Sequence, residues 1–321
     1  MPLVPMSYFL PRAKQEGYAV GQFNMNNLEF TQAIIEAAKE ERSPLIFGAS
    51  EGAIKYMGLD NVVALARAAA EESGLPVALH LDHGSSFDMV MKCIRAGFSS
   101  VMFDGSHYPY EENLRLTKKV VEAAHAVGVS VEGELGTIGG VEDDLEVADE
   151  DAHLADPDEA IRFWEETRVD ALAIAVGTAH GMYKGEPKIR FDIIEKVSKN
   201  IEAPIVLHGG SGVPDESIRR SISLGVGKIN VNTENQVAFT RGFGSCWLKS
   251  RIWSIPGNTW VPPGKRSRKW SRKRCACSAV RGRLERFTQA VRRCDISRAL
   301  LIGKKYRRCR SETFYRFRRC E

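Results

Sequence analysis

The sequence predicts an α/β chain whose first 240 residues close into a (β/α)8 TIM barrel. Three features carry that expectation. Eight short, β-branched apolar runs alternate with longer stretches of helical period, the pattern of repeated βα units around a parallel sheet. Histidines and acids gather just after the runs instead of inside the amphipathic stretches. Eight runs fit a closed barrel better than an open doubly wound sheet, which needs about six.

The elements follow in order along the chain. The run at 19–23 leads to an amphipathic stretch at 28–42, entered through Asn27 with Glu29 in its first turn, a cap and a charge that suit a helix N-terminus. Runs at 45–48 and 77–81 precede helical stretches at 61–73 and 88–96. The fourth run, 100–103, leads to 111–127, and the fifth, 129–131, to 157–167. That last helix opens on Asp156, Pro157, Asp158 and Glu159, a strong start signal. The sixth run, 171–176, precedes 191–199, and the seventh, 205–207, precedes 215–224, entered through Pro214, Asp215 and Glu216. The eighth run, 228–231, is followed by a helix expected to begin near 232–236.

Composition is globular, with 43% hydrophobic and 27% charged residues. It excludes disordered, collagen-like and small disulfide-stapled classes. An uninterrupted apolar run of about 18 residues, the signature of a membrane-spanning helix, does not occur. The opening residues lack the charged-then-apolar layout of a secretory signal, so the expected location is cytoplasmic.

The averages conceal a break. Residues 1–240 hold 21 basic and 37 acidic residues, whereas 241–321 hold 24 basic residues against Glu285, Asp295, Glu312 and Glu321. The formal charges are −16 and +20. Six of the seven cysteines and four of the five tryptophans lie beyond Thr240, and all seven histidines lie before it. Two domains are therefore expected: a barrel at 1–240 and a basic segment rich in Arg, Cys and Trp at 241–321, with the eighth helix disturbed where they meet.

Strand ends in a barrel converge on one rim. Asp82 and His83 follow the third run, Asp104 the fourth, Glu132 and Glu134 the fifth, His180 the sixth, His208 the seventh, and Asn230 and Asn232 the eighth. His83, His180 and His208 are the expected Zn2+ ligands, since three neutral imidazoles leave a coordination position open. His80 shares a strand face with Asp82, His107 lies near the rim, and His125 and His153 read as surface residues. Asp82 is placed to move a proton to a substrate oxygen. Glu132 and Glu134 point to one face and need a cation or a shared proton. Asp104 and Glu134 are candidates for a second metal position. Glu142 follows a glycine-rich stretch from Gly136 to Gly140 that reads as flexible enough to carry a base over the substrate; the alternative is a solvated acidic loop.

Two further turns suit an anion. Gly209, Ser211 and their neighbours follow the seventh run, and Asn230, Asn232 and Thr233 the eighth, the usual phosphate site of such barrels. Lys184 adds a cation. Together these residues point to a phosphorylated carbonyl substrate beside a Lewis-acid metal. No buried lysine at a strand end stands out as a nucleophile.

The segments VALHLDHG at 77–84 and VEGELGTIGGVE at 131–142 resemble the two signatures of class II fructose-1,6-bisphosphate aldolases of the shorter, Bacillus-like kind. HGMYK at 180–184, HGGS at 208–211 and NVNT at 230–233 are similar to that family's other site motifs, and Gln22 to Asn24 and Ser50 to Gly52 resemble its substrate-side loops. The resemblance covers 1–240. It implies reversible cleavage of fructose 1,6-bisphosphate to dihydroxyacetone phosphate and glyceraldehyde 3-phosphate through a zinc-stabilised enediolate, in glycolysis. Zinc would sit on His83, His180 and His208, with Asp104 and Glu134 forming the alternative metal position. Asp82 would handle the C4 oxygen proton and Glu142 the C3 proton. Asn24, Ser50, Gly181, Lys184, Gly209, Ser211, Asn230, Asn232 and Thr233 would line the substrate, with a monovalent cation, Na+ or K+, near Gly181 and Gly209. A dimer or tetramer is implied, and tagatose 1,6-bisphosphate is the alternative substrate.

Beyond Thr240 the resemblance stops. A reading-frame shift near Thr240 accounts for the sudden change of composition. The competing readings are a fused basic segment that binds nucleic acid or another polyanion, and an amphipathic surface helix through Val280, Leu284, Phe287 and Val291. If the eighth helix is lost, one flank of the barrel is uncovered and the chain is expected to be poorly soluble and catalytically impaired.

Overall fold

The structure is a computed structural model that describes residues 2–142, 145–148, 152–183 and 185–249, with side chains at 141, 142, 145–147 and 242–249 outside that description. The basic segment from residue 250 onward, Lys184, and the side chain of Glu142 therefore lie outside the described residues.

The chain enters through a 3-10 turn, Met6–Tyr8, and a short helix α1 (Leu10–Glu16), then β1 (Val20–Asn24), α2 (Leu28–Glu41) and β2 (Leu45–Ser50). Two helices, α3 (Glu51–Met57) and α4 (Leu59–Ser73), lead to β3 (Val77–Gly84), α5 (Phe87–Ala96), β4 (Ser100–Phe103), α6 (Tyr110–His125) and β5 (Ser130–Leu135). A hairpin of β6 (Gly139–Glu142) and β7 (Leu145–Val147) precedes α7 (Pro157–Thr167), β8 (Ala171–Ile174) and β9 (Ala179–His180). The rest is α8 (Phe191–Asn200), β10 (Ile205–Leu207), α9 (Asp215–Ser223), β11 (Val226–Val231) and α10 (Thr233–Lys249).

The expected barrel is present. Strands β1, β11, β10, β8, β5, β4, β3 and β2 close on one another, every pairing parallel. The caps act as the sequence suggests: Asn27 accepts from the Phe30 amide, and Asp156 accepts from the amides of Asp158 and Glu159. Each satisfies helix-end donors that would otherwise lack partners.

Side chains alternate between two cores. Phe23, Leu45, Phe47, Leu79, Leu81, Val101, Val131, Leu172, Ile205 and Leu207 point outward beneath the helices. Val20, Ile46, Ala78, Ala171, Ala173 and Val206 point inward and meet Met6, Phe9 and Leu10 at the floor. The Ser7 amide donates to Ser130 Oγ at 3.0 Å, fastening the N-terminal turn across that floor.

Three features depart from the sequence reading. The stretch read as flexible, Gly136 to Gly140, runs into β6, which pairs with β7 on one side and with β9 on the other, Gly140 opposite His180. Two seven-residue helices, α1 and α3, fall where no helix was expected, being too short for a periodic pattern to register. The eighth helix is not lost. Backbone of α10 continues helically through the composition break to Lys249, with Ala238 buried and the Phe239 ring 5.0 Å from that of Phe30.

Candidate active site

Strand β3 carries the first part of the site. His80 and Asp82, two apart, both face inward and are fully buried. Simple alternation would send His83 outward. The register slips between Leu81 and Gly84, and His83 takes a left-handed φ of +49°. That conformation is costly for a residue with a side chain, and it turns the imidazole back into the mouth.

There it meets the other two expected ligands. The ring centroids of His83 and His208 are 4.8 Å apart, those of His83 and His180 5.1 Å, and those of His180 and His208 5.7 Å. One nitrogen from each lies within 4.8 Å of the others. His83 Nε2 and His208 Nδ1 approach to 3.1 Å, close to the roughly 3.3 Å expected of two ligands about 2.0–2.1 Å from one tetrahedral zinc. The other nitrogens of His83 and His208 are tied back. His83 Nδ1 meets Asp104 Oδ2 at 2.7 Å, and His208 Nε2 meets Glu132 Oε1 at 2.9 Å. Such carboxylate partners orient the ring and choose which nitrogen faces an ion. The donor set therefore fits a zinc ion.

A second group of ligand atoms, from His83, Asp104 and Glu134, lies equally close together. Glu134 Oε2 is buried without a hydrogen-bond partner. Burial, reinforced by the charge of Asp104, lifts its carboxyl well above the ordinary value. A cation would relieve that strain, so these residues also fit a metal position. Asp104 is bound through Oδ1 to the Ser106 amide and hydroxyl. Burial opposes its ionisation, but hydrogen bonds from His83 and Ser106 hold it below the usual carboxylate range.

Asp82 is held from two sides: Asn24 Nδ2 donates to Oδ2 at 3.2 Å and Asn230 Nδ2 to Oδ1 at 3.4 Å. Burial again disfavours the charge, yet His83, His208 and Lys228 keep the carboxyl ionised. Asn24 and Asn230 thus stand beside the expected proton carrier.

Lys228 is the residue the sequence reading missed. It is fully buried on β11, inside the barrel, where Nζ lies 2.8 Å from Glu132 Oε2 and 2.8 Å from Asn230 Oδ1. Nothing in the apolar run 228–231 marks it except its two-residue spacing from Asn230. An ammonium locked between a carboxylate and an amide oxygen is a structural charge, so the buried lysine is no free nucleophile. Burial disfavours ionised Glu132, but Lys228 and the His208 hydrogen bond bring its carboxyl down to about 2. His80 completes the cluster, with Nε2 3.5 Å from Glu132 Oε2 and Nδ1 2.8 Å from Ser100 Oγ. Burial and the Lys228 charge push its imidazole down to about 3, so it is neutral.

The expected anion turns adjoin this cluster but are partly engaged. The Gly210 amide donates to Asn230 O and the Gly212 amide to Glu234 Oε1, while Ser211 Oγ accepts from the Glu234 amide. Asn232 Oδ1 accepts from Asn26 Nδ2 at 3.3 Å, and Thr233 opens α10. Ser50 Oγ caps α3, accepting from the Ala53 amide. Gly181 and Gly209 have left-handed φ values of +94° and +62°. His107 is exposed, and His125, beside Asp170, and His153 lie at the surface as their sequence positions suggest.

A family model described as fructose-bisphosphate aldolase class-II matches residues 4–294. The chain belongs to the class II fructose-bisphosphate aldolase family. It is 58% identical over 241 residues to the protein of Bacillus subtilis (strain 168) named "Probable fructose-bisphosphate aldolase", covering 74% of this chain and 84% of that one. It is 55% identical over 244 residues to the fructose-bisphosphate aldolase of Geobacillus stearothermophilus, covering 75% and 84%. Among solved structures, the YdjI aldolase from Escherichia coli K12 superposes with a TM-score of 0.73 at 30% identity, over 94% of this chain and 96% of that chain. The class II aldolase family is zinc-dependent in general, in keeping with the three-histidine cluster. Among the described residues, no helix is long and apolar enough to cross a membrane.

Proposed function

We propose that this class II aldolase reversibly cleaves fructose 1,6-bisphosphate to dihydroxyacetone phosphate and glyceraldehyde 3-phosphate. The observation that carries the assignment is the convergence of His83, His180 and His208 at the barrel mouth, with Asp82 held there by Asn24 and Asn230. When bound by the three imidazoles, zinc supplies Lewis-acid polarisation of the ketone. Asp82, held by Asn24 and Asn230, accepts and returns the proton of the C4 hydroxyl. Glu142, on the strand paired alongside His180, serves the proton at C3. Asp104 and Glu134 offer a second divalent ion a resting place with His83. Ser211, Asn232, Thr233, Lys184 and the Gly181 and Gly209 turns would bind the dihydroxyacetone phosphate end together with a Na+ or K+ ion, and Ser50 would line the substrate.

The relatives' names favour fructose over tagatose 1,6-bisphosphate. A coupled assay with both sugars, before and after EDTA, tests the reading: fructose 1,6-bisphosphate should be cleaved faster, and activity should vanish with chelation and return with Zn2+ or Co2+. Metal-independent cleavage would overturn it. We also propose a cytoplasmic homo-oligomer. The division at residue 240 is tested by the coding DNA: a one-base slip there would make the basic segment a frame-shift product, and an uninterrupted frame would favour a polyanion-binding tail.

A further inference from the structure

Two loops bring ligands to the proposed zinc site, one through His180 and one through His208, and a single phenol joins them. Tyr183 Oη accepts from the Ala179 amide at 2.9 Å and donates to the Gly209 carbonyl at 2.8 Å. Ala179 immediately precedes His180, and Gly209 immediately follows His208. The loops touch closely at the same place. A Cβ on Gly209 would fall 2.3 Å from the Ala179 carbonyl oxygen, and the Tyr183 ring lies against Gly212 at the far end of the phosphate turn. On its other side, His180 is hydrogen-bonded through its strand to the β6 hairpin.

We infer that Tyr183 is a positioning residue, a latch that sets the spacing of the two histidine loops and hence of the metal cradle and the adjoining phosphate turn. The inference rests on the aldolase reading for its catalytic consequence, but not for its metal-binding one. The phenol has no proton to give near neutrality, because burial pushes it up to about 12. Its role is geometric: it satisfies one amide and one carbonyl that β9 and the glycine turn leave facing each other, as buried backbone groups require.

Tyr183→Phe keeps the ring and removes only the bridging oxygen. Zinc affinity, measured by chelator competition, should fall about tenfold, the scale for lost supporting hydrogen bonds. The visible absorption of the Co2+-loaded protein should change in intensity as the coordination geometry relaxes. KM for the bisphosphate and the inhibition constant of inorganic phosphate should rise together, with kcat changed less and the pH–rate profile keeping its shape. Unaltered zinc affinity and KM would overturn the latch, as would a shifted pH profile, which would make the phenol an acid–base group. Weaker zinc binding in a protein that cleaves no ketose bisphosphate in either form would uphold the latch and sink the aldolase reading instead. Should Tyr183→Phe fail to fold, Gly209→Ala forces the same loops apart from the other side, and the same loss of zinc affinity and phosphate binding is expected. Wild-type zinc affinity in that variant would count against the latch.

Discussion

The mouth and the floor of this barrel are built on the same strands and obey opposite rules. On β3, one inward step takes the chain from Ala78 to His80 and another to Asp82; on β10 the step is from Val206 to His208. At the floor, Ile46, Ala78, Ala171, Ala173 and Val206 bury apolar surface against Met6, Phe9 and Leu10, each contributing in proportion to the area removed from water. At the mouth, His80, Asp82, Glu132, Glu134, His208 and Lys228 are equally buried, and every one of them costs desolvation that its partners must offset. Stability is concentrated in one layer and chemistry in the layer above it, about two residues away.

Removing the metal cradle should separate the two layers most sharply. His180→Ala is expected to lower kcat/KM on the order of a thousandfold, as loss of a catalytic ion does, and to reduce bound zinc well below one per chain. Thermal melting of the metal-free form should hardly change, because the lost group is a desolvated imidazole. If metal-free His180→Ala instead unfolds at room temperature, the mouth is a structural layer too and the contrast fails.

Next in size is the charge lock beside the three-histidine cluster. Lys228→Met leaves Glu132 ionised and buried beside His80 and His208, a situation that typically costs about 3–5 kcal/mol. Urea unfolding at pH 7 measures it. Adding Glu132→Gln should recover a good part of that loss, since the unpaired charge goes with its partner. A double variant no more stable than the single one would show that Lys228 acts by packing alone. At the floor, Ile46→Ala should cost about 2–5 kcal/mol by transfer and cavity terms while zinc content and kcat stay near wild type.

Much of this was readable from residue order. Histidines after the third, sixth and seventh runs point to a cluster at the mouth, and the structure brings them together there, because strand ends must meet on one rim. His83 joins the other two histidines by a route the sequence hides: a register slip and a left-handed backbone are invisible in a pattern of alternation. Lys228 is hidden at the start of the eighth run, since a lone lysine beside apolar residues says nothing about what Glu132, nearly a hundred residues away, will place opposite it. The hairpin β6 to β7 and the two-residue β9 were hidden by their brevity, and glycine-rich sequence read as looseness where it permits close strand approach. At Gly140, a Cβ would lie against the His180 backbone.

The smallest effect lies outside both layers. His125 Nε2 is 2.8 Å from Asp170 Oδ2, and the same oxygen accepts from the Val131 amide at the start of β5. The Asp170 hydrogen bond raises the His125 imidazole above its ordinary value. A group whose folded pKa exceeds its unfolded pKa stabilises fully below the unfolded value, about 6.5, and loses that contribution as pH rises through the raised folded value. Wild type should therefore exceed His125→Gln in stability at pH 5.5, and the gap should close by pH 8.5. Because the imidazole is partly exposed, the difference should stay below about 1 kcal/mol and shrink in added salt. An equal gap at both pH values would mean that His125 supports β5 through its shape, and that the barrel's lower rim holds no titrating contact of consequence at this position.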